Sequence, residues 1–247
     1  ADNVYARGTA VSSLNEYAVY EAALQFNDPL NQGPINQLTH RAIYGVSNSG
    51  NTQFAIVRTG SFIPFGFGGF IYQRNGGVTL PSTGQAAYFG QAAGMRDFDG
   101  RGGLEFTTAD VEIEIDFTDF DDGTGSLGDG IKGRFVNRTI FDLNGQDITD
   151  QFLTDFNEDN DASIDGVPDL RIVIGPNTLD RNGEIVCQVF SYYVDNEGNG
   201  QNFETGTYYG ILSGDAAQEL VGIYVVTAPD VQGPNTARET GGFIVYR

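Results

Sequence analysis

The fold is decided by the stretch Asp110-Val111-Glu112-Ile113-Glu114-Ile115-Asp116-Phe117, in which acidic and apolar residues alternate over eight positions. In a β-strand, successive side chains point to opposite faces, so the four acids lie on one face and the four apolar residues on the other. A helix would spread the same acids around its circumference. The stretch therefore predicts a strand with one buried and one solvated face.

Shorter blocks of the same alternation recur along the chain and predict further strands. Turn-forming pairs such as Asn75-Gly76, Asp122-Gly123, Asn144-Gly145 and Asn182-Gly183 separate them, and these pairs accept the backbone angles of tight hairpins. Helices are expected only within Asn144–Phe156 and Asp215–Leu220, with one or two turns each. The predicted strands are Tyr17–Leu24, Arg41–Val46, Gln53–Arg58, Phe67–Gln73, Gln85–Phe89, Ile131–Val136, Leu170–Ile174, Glu184–Phe190, Gly206–Leu212, Leu220–Thr227 and Gly242–Tyr246.

The composition supports an all-β protein. Glycine accounts for 34 of 247 residues, which is typical of many tight turns and unfavourable for helices. Hairpin-linked strands at this spacing favour a sandwich or a barrel. A turn-rich segment with a proline, 76–84, divides the chain, so we expect an N-terminal β module over residues 1–80 and a second β domain over 84–247.

The charge balance restricts the partners of the protein. The chain has 33 acidic and 13 basic residues, a net charge of −20. Such a surface repels nucleic acids and anionic lipid headgroups and attracts divalent cations and basic proteins, although the same acidity also serves solubility alone. Cys187 is the one cysteine and forms no disulfide within the chain. No apolar run approaches the ~18 residues of a transmembrane helix.

A short glycine and aromatic motif occurs twice. Tyr88-Phe89-Gly90 with Gly94 matches Tyr208-Tyr209-Gly210 with Gly214. Two glycines four residues apart lie on the same face of a strand and permit the tight curvature that closure of a barrel requires. The alternative explanation is chance recurrence in a glycine-rich chain.

Together with the strand Val111–Phe117, the segment Gly130-Ile131-Lys132-Gly133 and the segment Gly206–Gly222, these motifs resemble the C-terminal barrel of transferrin-binding-protein-B-like surface lipoproteins. The resemblance implies an eight-stranded antiparallel barrel over 84–247, preceded by a handle-like N-terminal β module. It also implies a Gram-negative binding protein at the outer membrane surface, secreted or in the periplasm, with a lipid anchor upstream of the given chain. Ligands in that family include transferrin, haem and complement factors.

Two features suggest where a ligand would bind. His40, the only histidine, lies near Tyr44 and Phe62, and the resemblance implies an axial haem ligand as one role for it. A surface or turn histidine is the other interpretation. The segment Ser61–Tyr72 contains Phe62, Phe65 and Phe67, and it is either a glycine-bent core strand or an aromatic surface that docks a ligand.

An acidic loop indicates a calcium site. Asn157, Asp159, Asp161 and Asp165 occupy positions 1, 3, 5 and 9 of a loop, a spacing at which hard oxygen atoms can surround Ca²⁺. Ala162 replaces the glycine that such loops use for their sharp turn. The alternative is an acidic hairpin loop without a metal.

The sequence therefore predicts a binding protein rather than an enzyme, because no pair of carboxyl groups stands out as acid and base. We expect it to capture a protein or a small ligand, including iron- or haem-related ones. The alternative is an extracellular structural or adhesion module stabilised by calcium.

Overall fold

The N-terminal part of the protein forms two antiparallel sheets. The computed structural model of the chain describes residues 9–22, 25–27, 30–36, 39–60, 65–118, 130–173 and 178–247. Five strands form a sheet in the order β1-β2-β5-β6-β7, hereafter the N-terminal sheet, and β3 and β4 form a separate hairpin. The strands are β1 Thr9–Leu14, β2 Tyr17–Glu21, β3 Gln25–Asn27, β4 Pro34–Asn36, β5 Arg41–Val46, β6 Thr52–Arg58 and β7 Gly68–Arg74.

The rest of the chain forms a closed barrel of eight antiparallel strands, β9 to β16. Each strand pairs with its neighbour in sequence, and β16 pairs with β9 to complete the circle. This topology selects the barrel over the sandwich and confirms the predicted fold class. The elements are β8 Val78–Thr79, β9 Gln85–Asp99, β10 Glu105–Asp116, β11 Ile131–Phe141, α1 Thr149–Asn160, β12 Leu170–Ile172, β13 Glu184–Val194, β14 Gly200–Asp215, β15 Glu219–Pro229 and β16 Thr236–Tyr246.

The alternating stretch that opened the sequence analysis is β10, as predicted. The apolar residues of the alternating stretch, including Ile113, are buried in the barrel and its four acids face outward, whereas Glu105 at the start of β10 is buried. Two of these acids pair with cations of β11, Glu114 with Lys132 at 2.9 Å and Glu112 with Arg134 at 2.8 Å. The interior is filled by side chains, of which Tyr88, Tyr208, Tyr224, Phe135 and Phe243 are the largest.

The predicted N-terminal module is not separate from the barrel at its C-terminal end. β8 pairs in parallel with the end of β14, and β9 begins directly after Gly84. The division into domains 1–80 and 84–247 therefore stays a prediction. No helix among the described residues is long and apolar enough to cross a membrane.

Helix α1 differs from the sequence expectation. It has 12 residues and begins at Thr149, so it is longer and starts later than the one or two turns expected in Asn144–Phe156. Its buried residues, Phe152 and Phe156, pack with Phe203 at one end of the barrel, and this packing stabilises a helix whose acidic sequence favours it little.

The second helix expectation, Asp215–Leu220, is wrong. The segment is the hairpin between β14 and β15, and Ala216 and Ala217 both have left-handed backbone angles of 59° and 52°. The chain reverses within three residues, so good helix formers are used in a turn.

The structure confirms the predicted turns at Asn144-Gly145 and Asn182-Gly183, where Gly145 and Gly183 have positive φ. Asp122-Gly123 lies outside the described residues.

A β-bulge places charged groups inside the barrel. Asn137 and Arg138 of β11 together face Ala109 of β10, and the left-handed Asn137, with φ of 52°, shifts the alternation by one residue. Arg138 consequently points inward. Its guanidinium donates two hydrogen bonds to Glu204, at 2.6 and 2.8 Å, and one to Glu239 at 2.9 Å.

The two buried carboxylates have further partners. Tyr224 and Thr107 donate hydroxyl hydrogen bonds to Glu239, at 2.6 and 2.9 Å. Burial alone would raise the pKa of Glu239, but Arg138 together with these hydrogen bonds holds it below the ordinary value of 4.5. Because the charged groups are mutually satisfied, the network is compatible with a dry interior.

This network predicts a specific acid sensitivity. A carboxyl group whose pKa is lower in the folded than in the unfolded state stabilises the fold above its unfolded pKa, and that contribution is lost as the pH falls through the folded value. We expect the free energy of unfolding to differ most between wild type and Glu239→Gln near pH ~7, and the difference to shrink below pH ~4.5. Urea unfolding across this pH range measures it, with the exposed Glu112→Gln as the control. A difference that stays constant with pH contradicts the assignment.

The N-terminal sheet packs flat against the outside of the barrel. Its inward residues Ile43, Phe54 and Ile56 are fully buried against apolar side chains of the barrel wall, such as Met95 and Ile223. The ring of Phe54 lies directly on Gly242 of β16, where a Cβ atom would come within 2.3 Å of the ring. A residue larger than glycine at this position would push the sheet off the barrel.

Tyr17 connects this sheet to the seam at which the barrel closes. Gln91 of β9 and Ile244 of β16 are partners in the seam, and the Tyr17 hydroxyl lies between them. The hydroxyl accepts from the Ile244 N–H at 3.0 Å and donates to the Gln91 carbonyl at 2.8 Å. Burial raises the pKa of Tyr17 well above its ordinary value, so the hydroxyl stays protonated. The amide of Asn15 also donates to the Ala92 carbonyl of β9, at 3.0 Å.

Removal of that hydroxyl should loosen the seam. Tyr17→Phe keeps the ring but leaves the Ile244 N–H and the Gln91 carbonyl without this partner, and we expect a loss of about 1–3 kcal/mol in the free energy of unfolding. Denaturant unfolding measures the loss. Tyr192→Phe, at an exposed tyrosine, is the control and should change stability by less than about 0.5 kcal/mol. Equal effects of the two substitutions would rule out a structural role for the Tyr17 hydroxyl.

Candidate binding surface

The face of the N-terminal sheet that points away from the barrel carries no Asp, Glu, Lys or Arg in β2, β5, β6 and β7. These strands are described in full, and their four charged residues, Glu21, Arg41, Arg58 and Arg74, all lie on the opposite face. We call the uncharged side the outer face. Its residues are Ala18, Tyr20, Ala42, Tyr44, Val46, Gln53, Ala55, Val57, Gly69, Ile71 and Gln73.

Each charged residue on the inner side has a partner in the sheet or in the barrel. Arg41 pairs with Glu21 at 2.6 Å, Arg58 donates to Thr240 of β16 at 2.5 Å, and Arg74 donates to the Leu212 carbonyl of β14 at 2.5 Å. The register of the sheet thus directs every charge of the four strands toward the barrel. The outer face is left apolar or neutral.

The outer face is flat and partly solvated. Ala18, Ala42 and Ala55 contribute only methyl groups, while Ile71 is 62% and Val46 is 45% exposed. The hydroxyl of Tyr44 donates to the amide oxygen of Gln53 at 2.6 Å, which fixes the ring across two strands. Surfaces with exposed apolar groups and few charges are typical of the centre of protein interfaces.

Three of the residues that the sequence predicted for ligand binding map to this face. Tyr44 lies in its middle. The N–H of Ala22 donates to the His40 carbonyl and the N–H of Thr59 donates to the Phe67 carbonyl, both at 2.9 Å, which extends the sheet register by one residue beyond β5, β6 and β7. Alternation then assigns His40 and Phe67 to the outward side. Phe67 is 65% exposed.

Phe65 has a different environment from the other predicted residues. Its ring packs under the guanidinium of Arg238, 4.4 Å from the centroid, and its N–H donates to the Phe98 carbonyl of β9 at 2.8 Å. Arg238 also binds Asp97, whose pKa burial raises despite that partner. Phe65 therefore contributes to the junction of sheet and barrel. Phe62 lies outside the described residues, and haem binding stays a prediction.

The residues predicted to bind calcium do not form an open loop. Asn157 and Asp159 are helical residues of α1, and Asp161 ends the helix in a left-handed conformation. Both polar atoms of the Asn157 amide bind the Ile164 backbone, each at 2.9 Å, while Asp165 lies in the following bend. Within the part of the chain that the structure describes, no three His, Cys, Asp or Glu side chains converge in a way that could hold a metal.

The calcium hypothesis assumed a loop in which alternate side chains surround the ion. The structure has the end of a helix there instead, because the packing of Phe156 extends the helix through Asn157 and Asp159. Calcium binding itself stays a prediction, and one experiment separates the two roles of Asn157. We expect Asn157→Ala to lower the free energy of unfolding by about 1–3 kcal/mol, equally in Ca²⁺ and in EDTA.

Asp159→Ala, at an exposed position, is the control and should change stability by less than about 0.5 kcal/mol in either solution. Thermal unfolding measures the wild type and the two variants in both solutions. A melting temperature that rises with Ca²⁺ in the wild type and not in Asp159→Ala would establish the metal site instead.

The sequence motifs did not predict the outer face as a binding surface. A signal was present, because Glu21, Arg41, Arg58 and Arg74 occur at the ends of their strands and share one side under alternation. Recognising it requires the strand pairing, which brings the uncharged residues of four strands together.

Comparisons with known proteins find similarity at the level of structure alone. No protein-family model matches the sequence, and no curated protein matches it. The fold is similar to transferrin-binding protein B from Haemophilus parasuis Hp5, with 13% identity over 93% of this chain and 37% of that chain, at a TM-score of 0.44.

Two further solved structures are similar. Transferrin-binding protein B from Actinobacillus pleuropneumoniae H49 has 14% identity and a TM-score of 0.39, and a surface lipoprotein has 12% identity and a TM-score of 0.37. Each match covers 81% of this chain and 79% of the other. The chain spans less than two-fifths of the Haemophilus protein.

Proposed function

We propose that this protein is an exported or cell-surface binding protein that captures a partner protein on the outer face of its N-terminal sheet. One observation carries the proposal: in a chain of net charge −20, the outward side of four neighbouring strands has no formally charged residue. If the acidity served solubility alone, the solvent-facing side of this sheet would be expected to share it.

An uncharged face lowers the cost of association. Charged groups at the centre of an interface must be desolvated, which costs several kcal/mol per ion unless each is paired. The uncovered wall of the barrel shows the opposite design, with exposed ion pairs such as Glu114 with Lys132 and Glu112 with Arg134. The outer face is therefore the surface of this chain best suited to become buried.

The barrel supports a scaffold role. Its interior is occupied by buried aromatic rings, among them Phe135 and Phe243 at a centroid distance of 5.3 Å. Two of its buried carboxylates, Glu204 and Glu239, are both bound to Arg138. A ligand is accordingly expected on the outside of the molecule, and the proposal is of binding rather than catalysis.

The resemblance of the sequence motifs to transferrin-binding-protein-B-like lipoproteins supports the same class. From it we propose a location at the outer membrane surface or outside the cell, and a ligand that is a protein or an iron-related molecule such as haem. His40 and Tyr44 on the outer face are the residues we propose for contact with it.

Charge placed on the outer face should abolish capture. We immobilise the wild type, Val46→Asp, Ile71→Asp and the control Val194→Asp, and quantify the serum proteins that each retains. Val194 is 50% exposed on the barrel and matches Val46 in size and exposure. We expect a protein that the wild type and Val194→Asp retain equally and that both face variants lose by at least about tenfold.

The retained protein is then purified and its binding to the four variants is measured directly. Circular dichroism melts confirm that each variant is folded. Equal retention by all four proteins, or retention of no protein by the wild type, would disprove capture on the outer face.

A further inference from the structure

Among the residues that the structure describes, strand β7 is an edge of the N-terminal sheet and pairs with β6 alone. It pairs with β6 over seven residues with no shift of register, whereas the opposite edge strand, β1, has a shift between Ala10 and Ser12. From Gly68 to Gln73 it contains no charged residue. Natural edge strands are normally blocked by charges, prolines or bulges, so a long regular edge of this kind favours the addition of another strand.

The hydrogen bonds at both ends of β7 show which backbone groups face the open side. The Thr59 N–H donates to the Phe67 carbonyl at 2.9 Å, and the Asn75 N–H donates to the Asn51 carbonyl at 2.6 Å. In an antiparallel pair, the residues that bond to the partner alternate with residues that do not. Odd-numbered residues of β7, such as Ile71, therefore bond to β6, and the N–H and C=O groups of Phe70 and Tyr72 point to the open edge.

The barrel provides a floor beside this edge that consists of Tyr209 and Val186 and is bordered by the exposed Glu184 of β13. β7 lies over β14, where the rings of Phe70 and Tyr209 are 6.0 Å apart. Tyr209 of β14 lies beside Val186 on the neighbouring strand β13, and the side chain of Val186 is 56% exposed. A strand added next to β7 would continue over Tyr209 and Val186, and its inward side chains would cover both.

We propose that β7 receives an extended segment of the partner protein as a sixth strand of the N-terminal sheet. The backbone of the segment bonds to Phe70 and Tyr72, and alternate apolar side chains pack on Tyr209 and Val186. Its other side chains are uncharged, because they extend the outer face. This inference rests on the proposed function, since the added strand belongs to the partner captured there.

A peptide with the sequence of β6, Thr52–Arg58, is the probe. It carries Phe54 and Ile56 on one side, with Arg58 at the end of that side, and the neutral Gln53, Ala55 and Val57 on the other, which suits the floor and the outer face. We expect saturable binding of the labelled peptide to the wild-type chain by fluorescence anisotropy. Absence of binding up to about 1 mM peptide overturns the proposal.

Amide hydrogen exchange provides a residue-level test. The amides of Phe70 and Tyr72 should exchange quickly in the free chain and become protected on addition of the peptide, whereas the amide of Ile71 should be protected in both states. Protection of all three amides, or of none, in the free chain contradicts the inferred direction of these groups.

Two matched variants separate the backbone from the ring of Phe70. Phe70→Pro and Phe70→Ala both remove the ring, but only proline removes the edge donor, and proline is tolerated at an edge position of this kind. We expect peptide binding at least about tenfold weaker for Phe70→Pro than for Phe70→Ala. Val186→Asp should weaken it as well, because it places a charge on the floor. Equal binding by the proline and alanine variants overturns strand addition.

The peptide assay contains no natural partner, so its outcome is independent of serum capture. Failure of the peptide with intact capture rejects strand addition alone. Capture that is insensitive to Val46→Asp, far from the edge, rejects the outer face while the peptide result stands.

Discussion

The hydroxyl of Tyr17 holds the two parts of the protein together at the most sensitive point of the barrel, the seam between β9 and β16. It replaces a direct bond between Ile244 and Gln91 with two hydrogen bonds of its own. One buried group thus contributes both to the closure of the barrel and to the attachment of the N-terminal sheet. Because Phe54 rests on bare backbone at Gly242 beside it, the sheet lies close enough for that hydroxyl to reach the seam.

Charged side chains are segregated by their pairing throughout the molecule. Arg58 and Arg74 on the inward side of the sheet bind the barrel, and inside the barrel Arg138 satisfies Glu204 and Glu239. Other buried acids are paired as well, such as Asp97 with Arg238 and Glu105 with Arg96. Since a buried ion without a partner is strongly destabilising, this sorting fixes how the sheet sits on the barrel and leaves the outer face as the neutral side.

Much of the fold could be predicted from the sequence because period-two alternation is a local signal. It located β10 and the cores of most other strands, but it could not show the bulge at Asn137, which turns Arg138 inward. The two matching glycine motifs do not occupy equivalent positions. Gly94 lies in β9 opposite Gly241, whereas Gly214 has a positive φ at the end of β14. Helix α1 depends on the distant Phe203, which no local pattern identifies.

The candidate surface shows the same division between local and long-range information. The position of Tyr44 on the outer face follows from alternation alone, while the contact of Phe65 with Arg238 joins residues far apart in sequence and could not be foreseen. In β2, residues with the two roles alternate: Tyr17 and Val19 face the barrel, and Ala18 and Tyr20 face outward. A partner on the outer face therefore binds the same strand whose Tyr17 bonds to the closing seam. By linkage, a partner that binds only the assembled sheet must stabilise the closing seam as well.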